Sequence, residues 1–174
     1  MGDRAQGRNV TAALLIDLAP LEGVHLRGLI SQFVALLDEA DADPAVERLT
    51  PTAYPDDSDA TAEYRASTRE HLLDRRRKDA AVVDTALAEF TGDLDPSSPD
   101  AIRAAVMAIP VAEEGAWMRT LAAMRLVVAT RLGIGSEDDH DPADSNFHVY
   151  DWLGYRLDEL IRLADERDAM ASGS

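Results

Sequence analysis

The arrangement of apolar and polar positions is most telling over residues 117–133, WMRTLAAMRLVVATRLG. At 100° per residue, Trp117, Leu121, Met124, Val128 and Leu132 form one stripe. Ala122, Leu126 and Ala129 lie opposite it, so the predicted helix is apolar nearly all round and belongs in the middle of a fold. Arg125 and Arg131 sit within this helix and must reach water at its edges or a buried acid. Gly133 and Gly135 supply the stop, and Arg131 in the last turn suits the helix dipole.

Upstream, Leu14, Ile16 and Leu18 alternate with Leu15 and Asp17, which predicts a short strand. Pro20 opens a helix that runs to about residue 40, with Leu26, Leu29, Ile30, Phe33, Leu36 and Leu37 on its inner side. Asp43 caps a short helix through Leu49, and Pro51, Tyr54 and Pro55 make an irregular turn. A long helix is predicted over residues 59–90, with Tyr64, Thr68, Leu72, Val82, Val83, Ala86, Leu87 and Phe90 facing inward. Residues 92–99 form a polar loop, and 101–109 fit helix or strand equally well by pattern. Residues 137–144 form an acidic loop before a last helix over 147–166, which buries Val149, Leu153, Leu157, Leu160 and Ala164.

Length and charge narrow the class. A chain of 174 residues suits one domain with a real core. We take residues 1–9 as a flexible start, 10–168 as one helical domain and 169–174 as a frayed tail. A formal charge of −16 disfavours direct nucleic-acid binding and attraction to anionic lipid. There is no cysteine, hence no disulfide, thiolate metal site or thiol switch. No apolar run is long enough to span a bilayer and no secretory leader layout is present, so a cytoplasmic protein is expected.

Several segments together resemble the bacterial domain-of-unknown-function family numbered two thousand and seventeen. They are LAPLEGVHLRGLI at 18–30, LTPTAYPDD at 49–57, EYRASTREHL at 63–72, AWMRTLAAMRLVVATRLGI at 116–134 and VYDWLGYRLDELI at 149–161. The resemblance implies that the segment before the tryptophan helix is a strand, which favours pairing of residues 106–109 with residues 14–18. Members lie near genes for an adaptor of the Clp protease, and some relatives are described as transcription regulators that sense oxidation through cysteines. This chain has none, so that sensing chemistry does not carry over. It also departs from the usual pattern at Ala123, where relatives tend to carry asparagine, and at Ala129, where they tend to carry glycine.

Among individual residues, Glu22 stands out because it falls within the apolar stripe of the first long helix. A carboxylate there needs a partner or a proton. Arg125 or Arg131 is the expected partner in a structural ion pair; a general acid with a raised pKa is the functional alternative. The long helix shows a polar gap at Arg75 and Asp79, which are spaced for a mutual ion pair, with Arg65, Arg69 and Arg76 along one border. That face reads either as a solvated stretch of helix or as a basic groove for an acidic partner or small anion. The loop containing Glu137, Asp138, Asp139, His140 and Asp141, with Asp144 and His148 beyond it, holds metal-ligand residue types without the spacing of a calcium loop or a paired-histidine helix. His25 and His71 read as edge or surface residues, and Trp152 and Tyr155 as core aromatics unless exposed. No nucleophile elbow or glycine-rich phosphate loop is present.

The expected fold is mainly α, a compact bundle of four to five helices with a small two-stranded β element. The expected role is a non-catalytic, cytoplasmic regulatory or adaptor-like protein acting through a protein partner. A link to transcription regulation follows from the resemblance only. No cofactor, metal or membrane is expected, and homo-oligomerisation stays open. The rival is a small-ligand binder or enzyme with a pocket between the long helix and the central helix, containing Arg75 and Arg125.

Overall fold

The computed structural model describes residues 13–39, 43–50, 62–136, 139–141 and 143–173. The N-terminal stretch expected to be flexible, the turn at Pro51, Tyr54 and Pro55, and Glu137 and Asp138 lie outside the described residues, as does the side chain of Arg65.

The chain opens with strand β1 (Ala13–Leu18), then helices α1 (Pro20–Asp38), α2 (Pro44–Leu49), α3 (Ala62–Ala86) and α4 (Pro99–Ile102). Strand β2 (Ala105–Pro110) leads directly into α5 (Val111–Leu132), and a 3-10 turn (Ser145–Phe147) opens α6 (His148–Ser172). The two strands pair antiparallel, Leu14 opposite Ile109 and Leu18 opposite Ala105. Alternation puts Leu14, Ile16 and Leu18 inward while Leu15 stays exposed. The stretch that pattern alone left ambiguous is thus a short helix followed by a strand.

Helix α5 is the hub. It packs on α6, α3 and α2 and touches both strands. Trp117, Thr120, Leu121, Ala123, Met124 and Ala129 are buried on its successive faces. Gly133 ends it in the left-handed region, at φ 74°, and the Ile134 N–H returns 2.8 Å to the Ala129 carbonyl. A bulky residue at that φ would be strained.

Helix α1 begins with Pro20 in its first turn, and its N-cap Ala19 offers no side-chain acceptor. Glu22 compensates: its Oε2 accepts from the Ala19 N–H at 3.0 Å, the reverse half of a capping box. Gly23, one residue on, is buried under the Phe90 ring; a Cβ there would lie 2.3 Å from Phe90 Cδ1. At α2, Asp43 accepts from the Ala45 N–H at 2.8 Å as its N-cap.

Helix α3 departs from its expected register. Leu73, Ala80, Val83 and Leu87 form its buried stripe, whereas Tyr64 and Leu72 are exposed. With Leu73 in place of Leu72 the stripe shifts by one residue, and the polar turn between Leu73 and Ala80 is filled by the half-buried Arg76 and Arg77. The last helix runs past its expected end at Glu166 to Ser172, burying Leu153, Gly154, Arg156 and Leu160.

Candidate functional site

The carboxylate of Glu22 is the meeting point of three elements. Its Oε1 accepts from Arg156 Nη2 at 2.7 Å and from Trp152 Nε1 at 3.1 Å, both on α6. Arg156 Nη1 donates to the Asp17 carbonyl of β1 and to Glu159 Oε2, each at 2.8 Å. Burial raises the pKa of Glu22, but hydrogen bonds from the Ala19 N–H, Arg156 and Trp152 outweigh it and hold the carboxyl below its ordinary range. Burial also works against the charge on Arg156, and Glu22 and Glu159 overcome it, holding the guanidinium more firmly protonated than usual.

The partner of Glu22 is therefore Arg156, and the expected pairing with Arg125 or Arg131 is corrected. Arg131 points to the other end of the molecule and pairs with Asp43, the N-cap of α2. Arg125 lies over the Tyr150 ring, its Cζ 4.0 Å from the centroid. The geometric cause is α6: Arg156 stands in its buried stripe between Leu153 and Leu160, next to the start of α1. That position was visible as an arginine at helical spacing from two buried leucines. Two oppositely charged anomalies, Glu22 and Arg156, each within an apolar stripe, are the signal that matches them.

The polar face of α3 is also rearranged. Asp79 does not pair with Arg75; it takes a bidentate contact from Arg119 of α5, with both oxygens at 2.8 Å. Arg76 turns inward and donates to the Leu49 carbonyl at 2.9 Å, and its burial lowers its pKa. Arg77, absent from the expected face, bridges to Asp38 and the Leu37 carbonyl. Arg69 is half-buried and engaged, and Arg75 is exposed. Arg76 and Arg77 thus fasten α3 to its neighbours, which takes Arg76 out of the expected basic face.

In the acidic loop, Asp139 accepts from the Gly135 N–H at 3.0 Å, the Ser136 N–H at 2.9 Å and the Ser136 hydroxyl at 3.1 Å, bonds that hold its pKa down. His140 Nε2 stands 2.7 Å from Asp151 Oδ1, off the line of a hydrogen bond, with its ring edge-on to Phe147. No group of three metal-ligand side chains forms among the described residues.

Two concave regions flank α6. One is a groove of about 820 Å³ between α1 and α6, with Val24, Leu29, Val149 and Trp152 as apolar walls and His25, Gln32 and His148 at its rim. Gly28 lies in its wall with open space where a side chain would stand. The Glu22 network closes one end. The other is a cavity of about 750 Å³ between α5, α6 and α2, lined by Arg48, Arg125, Leu126, Ile134, His140 and Tyr150 among others. Arg125 therefore does line a cavity, but on the α6 side of α5, and Arg75 is not in its walls. Between α3 and the start of α5 there is a smaller hollow of about 400 Å³, lined by Lys78, Val82, Thr85 and Glu113 and containing neither Arg75 nor Arg125.

The description DUF2017, domain of unknown function, matches residues 3–164. The chain belongs to the DUF2017 family. Neither a curated protein nor a solved structure matches it. For this DUF2017 chain the site has to be read from its own geometry. The family match spans every element from β1 to the greater part of α6, both concave regions included.

Proposed function

We propose that this protein is a non-catalytic regulatory or adaptor-like protein that receives an amphipathic helix of a basic protein partner in the groove between α1 and α6. The groove itself carries the reading. Its walls are Val24, Leu29, Val149 and Trp152, and α1 and α6 are joined at one end by the Glu22 network rather than by close helix packing. Along α1 the wall runs from Glu22 to Gln32, about 15 Å or nearly three helical turns. That length suits the i, i+3, i+4, i+7 anchors of a helix laid into a groove. The formal charge of −16 selects a partner with lysine or arginine beside those anchors, through steering and complementarity.

The non-catalytic part of the reading is supported by how charge is used. Glu22, Arg156 and Glu159 neutralise one another instead of leaving an acid or base poised in a cleft. No helix among the described residues is long and apolar enough to cross a membrane, which accords with a cytoplasmic setting. A role linked to bacterial transcription rests on the family resemblance alone. With no cysteine, such a role would run through the partner and not through thiol chemistry.

The test is a display selection of helical peptides on the immobilised full chain, counter-selected on a Leu29→Asp Val149→Asp variant. Enrichment of peptides with apolar i, i+3, i+4 and i+7 positions flanked by lysine or arginine is expected. Peptides that bind the variant equally well, or acidic peptides, would contradict the reading.

A further inference from the structure

The second cavity has a charge pattern that the groove reading does not use. Most arginines here find an acid: Arg27, Arg77, Arg119, Arg131, Arg156 and Arg167 each meet a carboxylate. Arg125 and Arg48 meet none among the described residues, although the chain holds 33 acids against 17 bases. Both line the same cavity.

Arg125 is held there by shape. Its guanidinium covers the Tyr150 ring at 4.0 Å, and its Nε is buried without a hydrogen-bond partner. On α6, Gly154 leaves the room: a Cβ there would stand 3.0 Å from that Nε. Arg48 reaches in from α2, with its Nη1 3.2 Å from the Thr130 hydroxyl, a neutral acceptor. Arg76 and Arg156 share such a buried Nε, but their terminal nitrogens meet a carbonyl or a carboxylate, whereas those of Arg125 meet no acceptor among the described residues. Departures from polar satisfaction of this kind gather at functional positions.

We infer that this cavity binds a small organic monocarboxylate, with Arg125 and Arg48 on the carboxylate and an apolar body against Leu126, Ile134 and Leu157. Among the described residues, two guanidinium groups line the cavity with one wall carboxylate, Asp151, which sits beside His140, so one further negative charge balances them. The Asp139 carboxylate is occupied by the amides and hydroxyl of the 135–136 turn. A planar carboxylate matches the fork of a guanidinium that is already positioned over an aromatic ring. A volume of about 750 Å³ is in the range of small-molecule sites and exceeds what a bare inorganic ion needs.

The experiment titrates the full chain with sodium benzoate, sodium butyrate and sodium phosphate against sodium chloride at matched ionic strength, reading backbone amide shifts of Tyr150, Gly154 and Ser136 and the melting temperature. Benzoate or butyrate is expected to give saturable shifts at these amides and a higher melting temperature than chloride. Arg125→Met is expected to weaken that binding at least tenfold, as is Arg125→Lys, which keeps the charge and loses the fork. Arg162→Met, at an exposed pair with Glu166, should leave it unchanged. Shifts no greater than those with chloride, or saturable binding that survives both Arg125 variants, would overturn the site. Phosphate binding as tightly as benzoate would overturn the assignment to a carboxylate.

Discussion

Arg156 and Glu22 are 134 residues apart in sequence and 2.7 Å apart between their charged atoms. The contact joins the last helix to the start of the first, and through the Asp17 carbonyl Arg156 also reaches β1. One guanidinium thus ties three elements that otherwise share little packing. It also shuts one end of the α1–α6 groove, so the same contact serves the fold and shapes the proposed docking surface.

Breaking a buried pair costs about 3–5 kcal/mol, because the remaining charge is stranded. The Glu22 side chain is 33% exposed, so we expect Glu22→Ala to cost less, about 2–3 kcal/mol. Arg156→Met should cost as much, since it leaves Glu22 and Glu159 without their cation. Urea unfolding of both single variants and the double variant measures the coupling. The double variant is expected to fall short of the sum by about 1 kcal/mol or more. Simple additivity would mean that the two groups act independently.

The pH dependence has a definite sign. In the unfolded chain Glu22 takes its proton near the ordinary value of 4.5; in the folded chain it does so only at lower pH. Within that interval the unfolded state binds more protons, so the stability Glu22 confers is complete above 4.5 and fades as pH falls through the folded-state value. Denaturation curves of wild type and Glu22→Gln from about pH 7 to about pH 3 should therefore converge on the acid side. A gap that stays constant over that range would show that the charge of Glu22 is not what stabilises the fold.

Gly23 offers a packing test. Placing a methyl group 2.3 Å from the Phe90 ring forces the ring away from α1, and overpacking of this kind costs about 1–3 kcal/mol. Gly23→Ala should be destabilised by about 2 kcal/mol despite the better helix propensity of alanine. Phe90→Val in the same chain should recover part of that loss. A neutral Gly23→Ala would show that the ring yields freely.

The end of α5 gives a smaller effect. With φ at 74°, Gly133→Ala should lower stability by about 1 kcal/mol, read as a shift in the thermal midpoint. Gly28→Ala, whose added methyl group meets nothing within 4 Å, is the natural comparison and should be stable or slightly more so.

Much of the fold was legible because apolar periodicity is a strong signal over long helices. The inner faces of α1 and α5, the strand at Leu14, Ile16 and Leu18, and the cap at Asp43 all follow from spacing and capping chemistry. The register of α3 was not legible: Leu72 and Leu73 are adjacent, and only tertiary packing chooses between them. The expected Arg75–Asp79 pair failed for the related reason that a spacing rule within one helix competes with partners from other helices, and Arg119 won. Glu22 was identified as needing a cation, because a carboxylate in an apolar stripe is costly whatever surrounds it. Which cation depends on how α6 crosses the start of α1, and no local pattern records that crossing. The cavity at Arg125 was equally hidden, since Arg48, Gly154 and His140 come from segments far apart in the chain.

The most direct measurement is a ¹H–¹⁵N shift map of the full chain with a helical peptide from the display selection. The account predicts perturbations concentrated on the groove residues of 24–32 in α1 and 148–152 in α6, with Trp152 Nε1–H among them. Perturbations confined to α3 or to the outer face of the two strands, with those residues unmoved, would contradict it.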